Sequence, residues 1–428
     1  MSARGLILAA PASGSGKTVA ALSILRALSS MGIDLRAAKA GPDYIDPAFH
    51  ALACGAPSVN LDPWAMQPDR LRGLALSQGG SHLLVEAMMG LFDGAADGSG
   101  STADLAAVLG LPVVLIVDSA RQSHSVAALV RGFRDHRQDI RVAGIILNRV
   151  GSPRHEAMLV SAIAGIGMPV FGAIPRDDAM RLPERHLGLV QAGEHADIER
   201  FIASAAAVAS SCIDLERLLA AFAPLSLPVA PMRLLSPPGQ RLAIARDTAF
   251  AFSYPHQLSD WRAAGAELSF FSPLEDEEPD AAADTVILPG GYPELHAGRI
   301  ASAEHFLGGM RRAAARGAFV YGECGGYMVL GHGLVDREGT RHAMAGLLPL
   351  ETSFEKPRLH LGYRNAVAAQ GFPLGSRLRA HEFHYSQALC EKGEPLFAAT
   401  DALGSDLGGA GLRSGNVMGS YLHVVDAA

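Results

Sequence analysis

The sequence predicts an α/β protein of two domains in tandem, each built on a buried parallel sheet. Three observations carry this. Short apolar runs alternate with helical patterns through the first half of the chain, the alternation breaks in a proline-rich stretch, and it then begins again. The length, 428 residues, matches two domains of roughly 200 residues each.

In the first half the expected strands are residues 5–9, 35–39, 82–87, 112–118, 142–148 and 169–174, with helices between them such as 18–29 and 125–134. Their near-continuous apolar character is that of strands covered on both faces. The stretch FAPLSLPVAPMRLLSPPGQ, residues 222–240, holds five prolines, which withhold backbone donors and fix φ. The expected boundaries are a first domain over 1–222, a linker over 223–240 and a second domain over 241–428. The second domain restarts with a strand at 241–245, a helix at 254–266, and strands at 268–271, 285–288 and 318–321.

Composition removes several classes of function. Hydrophobic residues make up 49% and charged residues 18%, so each domain can fill a core, and the net charge of −7 comes without a long basic run. No nucleic-acid partner and no anionic membrane surface is expected. Cys54, Cys212, Cys324 and Cys390 are widely spaced with no CxxC pair, which argues against a zinc site or a disulfide framework. No run approaches the ~18 apolar residues of a membrane span, and the apolar start is too short for a signal peptide. The expected location is the cytoplasm.

The first motif is PASGSGKT, residues 11–18. It lies after a strand and opens a helix, where backbone N–H groups and the helix dipole favour phosphate. Ser13, Gly14, Ser15 and Gly16 form the cradle, Lys17 reaches the terminal phosphates, and the Thr18 hydroxyl suits a magnesium ion. Pro11 stands where the usual pattern has its first glycine. Carboxylates follow the next strands: Asp43 and Asp46 in KAGPDYIDP, Glu86 and Asp93 in LLVEAMMGLFDG, and Asp118 in VVLIVDSA. Parallel strands put these ends on the edge that carries the loop, a place for a metal and an acidic substrate.

The second motif is GECGG, residues 322–326, after an apolar strand. A cysteine between glycines at a sharp strand-to-helix turn is the thiol form of a nucleophile elbow. The helix N-terminus is expected to favour thiolate at Cys324, and the Gly325 N–H to face an oxyanion. VILPGGYPE supplies a second donor from Gly290 and Gly291, and GSYLHVV supplies His423 as base.

PGGYPELHA, ECGGYMVLG and GSYLHVV resemble a class I glutamine amidotransferase domain of the cobalamin-pathway type. The first half resembles the dethiobiotin-synthetase-like phosphate-loop fold. Their fusion in this order resembles the cobyrinic acid or hydrogenobyrinic acid a,c-diamide synthases; KAGPDYIDP, EAMMGLFDG, LPERHLGLV and HEFHYS also match. The family implies ATP, Mg²⁺ and L-glutamine, with a carboxylate-rich tetrapyrrole as substrate. Cys324 would release ammonia from glutamine through a thioester, with His423 moving protons and Gly291 and Gly325 holding the oxyanion. The loop, Lys17 and Thr18 would hold ATP, and Asn148 would meet the adenine or serve as a turn residue. Thr18, Asp43, Asp46 and Glu86 would hold the metal. Asp43, Asp46, Asp93, Arg185, His186, His381 and His384 would meet the macrocycle. The two halves belong together chemically: ATP turns a carboxylate into an acyl phosphate, and the ammonia is made where it is used.

One departure stands out. Many class I amidotransferases have a glutamate two residues after the histidine, and here that position is Val425. His423 must be oriented by another polar group or a backbone carbonyl. Related readings are an a,c-diamide synthase for nickel sirohydrochlorin, and a regulatory phosphate-loop ATPase with a non-catalytic amidotransferase-like module. A homodimer is common among such folds.

Overall fold

The computed structural model describes residues 3–177, 180, 184–185, 188–189, 197–225 and 232–428. The chain divides into two units, Met1–Met232 and Arg233–Ala428.

In the first unit the strands are β1 (Arg4–Ala9), β2 (Leu35–Ala40), β3 (Val59–Leu61), β4 (His82–Glu86), β5 (Val113–Asp118), β6 (Val142–Val150) and β7 (Val170–Pro175). They form a parallel sheet in the order β3-β2-β4-β1-β5-β6-β7. Leu6, Leu8, Leu84, Val114 and Ile116 put one face of that sheet into a core shared with the helices Lys17–Ser30 and Ile198–Cys212. Burial on both faces explains the continuous apolar runs. Strand β3, only three residues long, carries no pattern that sequence could reveal. Two short pairs complete the unit: β8 (Glu184–Arg185) with β9 (Gly188–Leu189), and β10 (Ala223–Pro224) antiparallel to β1. The proline-rich stretch thus begins as an edge strand, where a missing N–H is tolerated. Its middle, 226–231, lies outside the described residues.

The second unit opens with β11 (Arg241–Ala245), β12 (Glu267–Phe271), β13 (Thr285–Leu288) and β14 (Phe319–Glu323), paired in parallel, and the later strand Val417–Ser420 joins β14 in the same sense. A small sheet follows, made of β15 (Gly333–Val335), β16 (Arg341–Ala343), β17 (Leu350–Ser353) and β20 (Gln387–Glu391). The remaining strands are β18 (His360–Ala368), β19 (Arg377–His384), β21 (Glu394–Thr400), β22 (Asp406–Ser414), β23 (Val417–Ser420) and β24 (Leu422–Ala427). The large sheet runs β12-β11-β13-β14-β23-β22-β21-β18-β19-β24. Only Tyr421 separates β23 from β24 in the chain, although they lie far apart in this order. The antiparallel half therefore curls back on itself, around a core of Tyr321, Phe397, Met418, Leu422 and Val424. This curl returns His423 toward the end of β14.

Candidate active site

The phosphate loop is shaped by two left-handed glycines, Gly14 at φ 76° and Gly16 at φ 85°. Gly16 starts the helix Lys17–Ser30. A Cβ on Gly16 would lie 2.3 Å from the amide nitrogen of Asn148, so only glycine fits there. That nitrogen donates to the Ser15 carbonyl at 2.8 Å, and the Asn148 oxygen accepts from Arg149 N–H at 2.9 Å. Asn148 is thus a turn residue that clamps the loop, and it also lines the loop's cavity. The cavity measures 710 Å³ and is bordered by Ser13, Gly14, Gly16, Asp118, Arg121 and Arg176. Asp118 pairs with Arg149 at 2.6 Å.

Beside the loop lies a buried charge network. Thr18 donates to Glu86 Oε1 at 2.7 Å, Lys39 reaches the same oxygen at 2.9 Å, and His50 Nε2 lies 2.6 Å from Oε2. Lys39 also bonds Asp46 Oδ2 at 2.5 Å. Burial alone would push the Glu86 carboxyl up, but Lys39 and His50 outweigh it and hold the group well below the usual carboxylate range. Asp46 is pushed up to about 7 by burial, only partly countered by Lys39. Burial and the neighbouring Lys39 lower the Lys17 pKa, and its Nζ donates to the Met89 carbonyl at 2.5 Å.

Asp46 Oδ1 is buried without a hydrogen-bond partner. With the Thr18 hydroxyl and the Glu86 carboxylate it makes an all-oxygen donor set suited to a hard divalent cation. Asp43 has a structural duty: its Oδ1 accepts from Ile45 and Asp46 N–H at 2.7 and 3.1 Å, fixing the turn into the helix Ile45–Cys54. Asp93 is exposed and closes a turn by accepting from Gly90 N–H at 2.8 Å. Arg185 lies in β8, but its side chain is outside the description, and His186 lies outside the described residues. Sequence reasoning missed Lys39 and His50. A lysine closing an apolar strand just before KAGPDYIDP was the available signal for the first.

In the second unit Cys324 sits between β14 and the helix Gly325–Leu330 at φ 45°, ψ −104°. A non-glycine residue held there stores about 1–3 kcal/mol of strain, as at an elbow. The flanking glycines are required by contact. A Cβ on Gly326 would lie 2.0 Å from the Leu288 carbonyl, and one on Gly325 would lie 2.7 Å from Pro293 and 3.1 Å from Gly291 N. The same approach brings the Gly291 and Gly325 amides together. Gly290 leaves space for His423, whose Cε1 would be 2.4 Å from a Cβ at that position. Cys324 N–H donates to the Ser420 carbonyl at 2.8 Å, three residues before His423.

The expected thiolate is corrected. Cys324 is 4% exposed and its Sγ donates to the Phe383 carbonyl at 3.7 Å. Burial, then the nearby Glu294 carboxyl, push its pKa far above the ordinary thiol value; the single donor of a six-residue helix end cannot compensate. His423 is pushed down to about 3 by burial, with His381 and His384 adding to the effect. The pair therefore stands as thiol and neutral imidazole at neutral pH.

His381 and His384, expected to meet the macrocycle, lie on β19, which pairs with the strand that carries His423. His381 opposes His423 across the β19–β24 pair. Burial and Arg364 push it down to about 4, so it is uncharged at neutral pH. His384 bonds Glu382 Oε1 at 3.1 Å through Nε2 and the Ser386 carbonyl at 3.1 Å through Nδ1, and it stacks on Tyr421 at 4.0 Å. His360, Glu382 and His384 offer ligand atoms within 4.8 Å of one another. The two imidazole planes, however, stack 1° from parallel, so their lone pairs do not converge, and Arg364 holds the other Glu382 oxygen at 2.7 Å. Glu323 and Glu382 were missed as site residues; each is an acid inside a strand-end motif, GECGG and HEFHYS. No helix among the described residues is long and apolar enough to cross a membrane.

Residues 6–190 match the CobQ/CobB/MinD/ParA nucleotide binding domain, and residues 241–427 match the CobB/CobQ-like glutamine amidotransferase domain. The chain is 58% identical over 429 residues to a hydrogenobyrinate a,c-diamide synthase of Sinorhizobium sp, covering 99% of each. It is 58% identical over 425 residues to that of Rhizobium meliloti (strain 1021), again covering 99% of each. The identity to the Mesorhizobium japonicum protein of the same name is 49% over 442 residues, covering 100% of both. With a phosphate loop in one unit and a cysteine elbow in the other, matched end to end by these relatives, the chain belongs to the hydrogenobyrinate a,c-diamide synthase family, a nucleotide-binding domain followed by a glutamine amidotransferase domain.

Proposed function

We propose that this protein is a ligase that amidates the a and c carboxylates of hydrogenobyrinic acid in cobalamin biosynthesis, consuming ATP and glutamine. The observation that carries the reading is the elbow: a strained, buried Cys324 whose chain neighbour Glu323 lies 3.9 Å from His423, in a chain that also holds a phosphate loop.

In the second unit Cys324 Sγ attacks the glutamine side-chain carbonyl as its proton passes to His423. The neutral imidazole can accept that proton, and because the thiol is protonated at rest, transfer accompanies attack. The Gly291 and Gly325 N–H groups face the resulting oxyanion. The tetrahedral intermediate collapses to a thioester and ammonia, with His423 returning the proton to the leaving amine. Water then releases glutamate and restores the thiol. The desolvated thiol has a consequence: without glutamine, the sulfur is a poor nucleophile and a poor target for oxidants.

In the first unit the loop amides and Lys17 bind the ATP phosphates. Thr18, Asp46 and Glu86 would hold Mg²⁺, which supplies charge neutralisation at the phosphates when bound. The γ-phosphoryl group passes to a substrate carboxylate oxygen, leaving ADP and an acyl phosphate. Ammonia then displaces phosphate and leaves the amide. Lys39 and His50 keep Glu86 ionised for this task.

The test is mass analysis of hydrogenobyrinic acid incubated with ATP, Mg²⁺ and glutamine. Two successive replacements of hydroxyl by amino are expected. No mass change, or amidation without ATP, refutes the reading. Cys324→Ala should abolish amidation from glutamine and leave it intact with concentrated ammonia. Equal loss from both nitrogen sources would refute the division of labour.

A further inference from the structure

We propose that Glu323, immediately before the reactive cysteine, is the carboxylate that positions His423, in place of the glutamate absent two residues beyond it. The inference rests on the thioester reading of Cys324 and His423 given above.

Residues two apart on a strand share a face. On β24 that rule would let a side chain at position 425 reach back along the strand to His423, but Val425 is apolar and fully buried. The acid comes instead from β14. Tyr321 and Glu323 lie on one face of that strand, and the Tyr321 hydroxyl donates to Glu323 Oε1 at 3.2 Å. The same oxygen accepts from Val424 N–H at 3.2 Å. One end of the carboxyl is therefore tied to the backbone directly after His423. Its other oxygen, Oε2, faces His423 Nδ1 at 3.9 Å.

Both side chains are deeply buried, His423 at 2% and Glu323 at 8% exposure. Burial pushes the Glu323 carboxyl up to about 8, only partly countered by the Val424 N–H and the Tyr321 hydroxyl, so it is the cation formed beside it that favours its ionised form. The pairing with His423 supplies a reason for an acid within an otherwise apolar strand. The gap of 3.9 Å exceeds a hydrogen bond by about 1 Å. A cavity of 20 Å³ borders Glu323 beside Tyr321, Gln257 and Phe252, so the carboxyl is not close-packed on every side. When His423 takes the cysteine proton, the imidazolium draws Oε2 toward Nδ1. Nε2 is then left as the nitrogen that exchanges protons with sulfur and the leaving amine. Glu323 touches no reacting atom, so it is a positioning residue.

The experiment compares Glu323→Gln and Glu323→Asp in the full chain. Glutamine keeps the volume and the acceptor for Tyr321 and Val424 but cannot carry charge. For Glu323→Gln, kcat for glutamine hydrolysis should fall by between about tenfold and the roughly 10⁴-fold lost when a directly bonded orienting carboxylate is neutralised. KM for glutamine should stay within about twofold, as expected when only the transition state is affected. Amidation from ammonia should persist, and Glu323→Asp should recover part of the lost rate. Parental kcat in Glu323→Gln overturns the proposal. So does an aspartate variant no better than glutamine, or a parallel loss with ammonia, which would mark a purely structural role. Cys324→Ala run alongside separates the failures: if it retains glutamine-dependent activity, the thioester reading itself falls. If Cys324→Ala behaves as expected while Glu323→Gln is silent, only the role of Glu323 falls.

Discussion

Gly290→Ala should cripple glutamine use while leaving amide formation from ammonia. The glycine's φ is not in the left-handed region, so alanine suffers no backbone strain there, and the effect is purely one of contact. The added methyl carbon would lie 2.4 Å from His423 Cε1, 3.2 Å from Nδ1 and 3.4 Å from the Phe252 Cβ. Carbon atoms settle at about 3.5–4.0 Å, so the imidazole must retreat by more than about 1 Å. It has little space to do so: His423 is 2% exposed and is opposed by His381 on β19. Overpacking of this kind costs about 1–3 kcal/mol of stability. A misplacement of about 1 Å in a reacting group costs on the order of 10²-fold in rate. The assay is a paired one, glutamine hydrolysis and glutamine-dependent amidation against amidation from ammonia, with a thermal melt on the same sample. The expected result is a roughly hundredfold loss in the first two with the third retained. Undiminished glutamine hydrolysis would show that His423 does not act from the position described here, and equal loss from ammonia would show that the damage is to the fold.

Lys17→Met should abolish amidation from glutamine and from ammonia alike, measured as product per ATP; activity with ammonia would remove Lys17 from phosphate binding. Lys39→Met strips the cation from two buried carboxyls, at a cost of about 3–5 kcal/mol. The sign with pH follows from Asp46, already pushed up to about 7 with Lys39 present. A folded-state pKa above the unfolded value favours the protonated fold, so its stability is lost as pH rises. Denaturant titrations of Lys39→Met should show a smaller deficit at pH 5 than at pH 8, and equal deficits would contradict the network. In the resting protein Cys324 should alkylate with iodoacetamide more slowly than a free thiol at pH 7.5, read by peptide mass analysis; rapid stoichiometric labelling would contradict the raised thiol pKa.

The parallel strands were legible because burial on both faces writes itself as continuous apolar runs, as in Val113–Asp118 and Thr285–Leu288. The antiparallel strands of the second unit were not. Their faces alternate between core and solvent, as in His360–Ala368, and their turns leave a weak local signal. The two motifs were legible for a different reason: a phosphate cradle and a cysteine elbow each require glycines at fixed spacing, and those requirements are local. PASGSGKT and GECGG therefore declared the chemistry of each half from sequence alone. Proton affinities were not legible. A helix end pointed to thiolate at Cys324, but burial decided otherwise, and burial depends on every element packed around the sulfur.

The sequence by itself determined two α/β halves, the loop Pro11–Thr18, the cysteine and the histidine, because each is specified by neighbours along the chain. Tertiary structure alone decided which side chains serve them. Lys39 and His50 meet Glu86 through sheet packing, and Glu323 meets His423 through the curl of β24 toward β14. One hundred peptide bonds separate Glu323 from His423, yet their side chains lie 3.9 Å apart. No spacing rule reaches across that distance, since contacts of this kind are set by how strands pair and not by how residues follow one another.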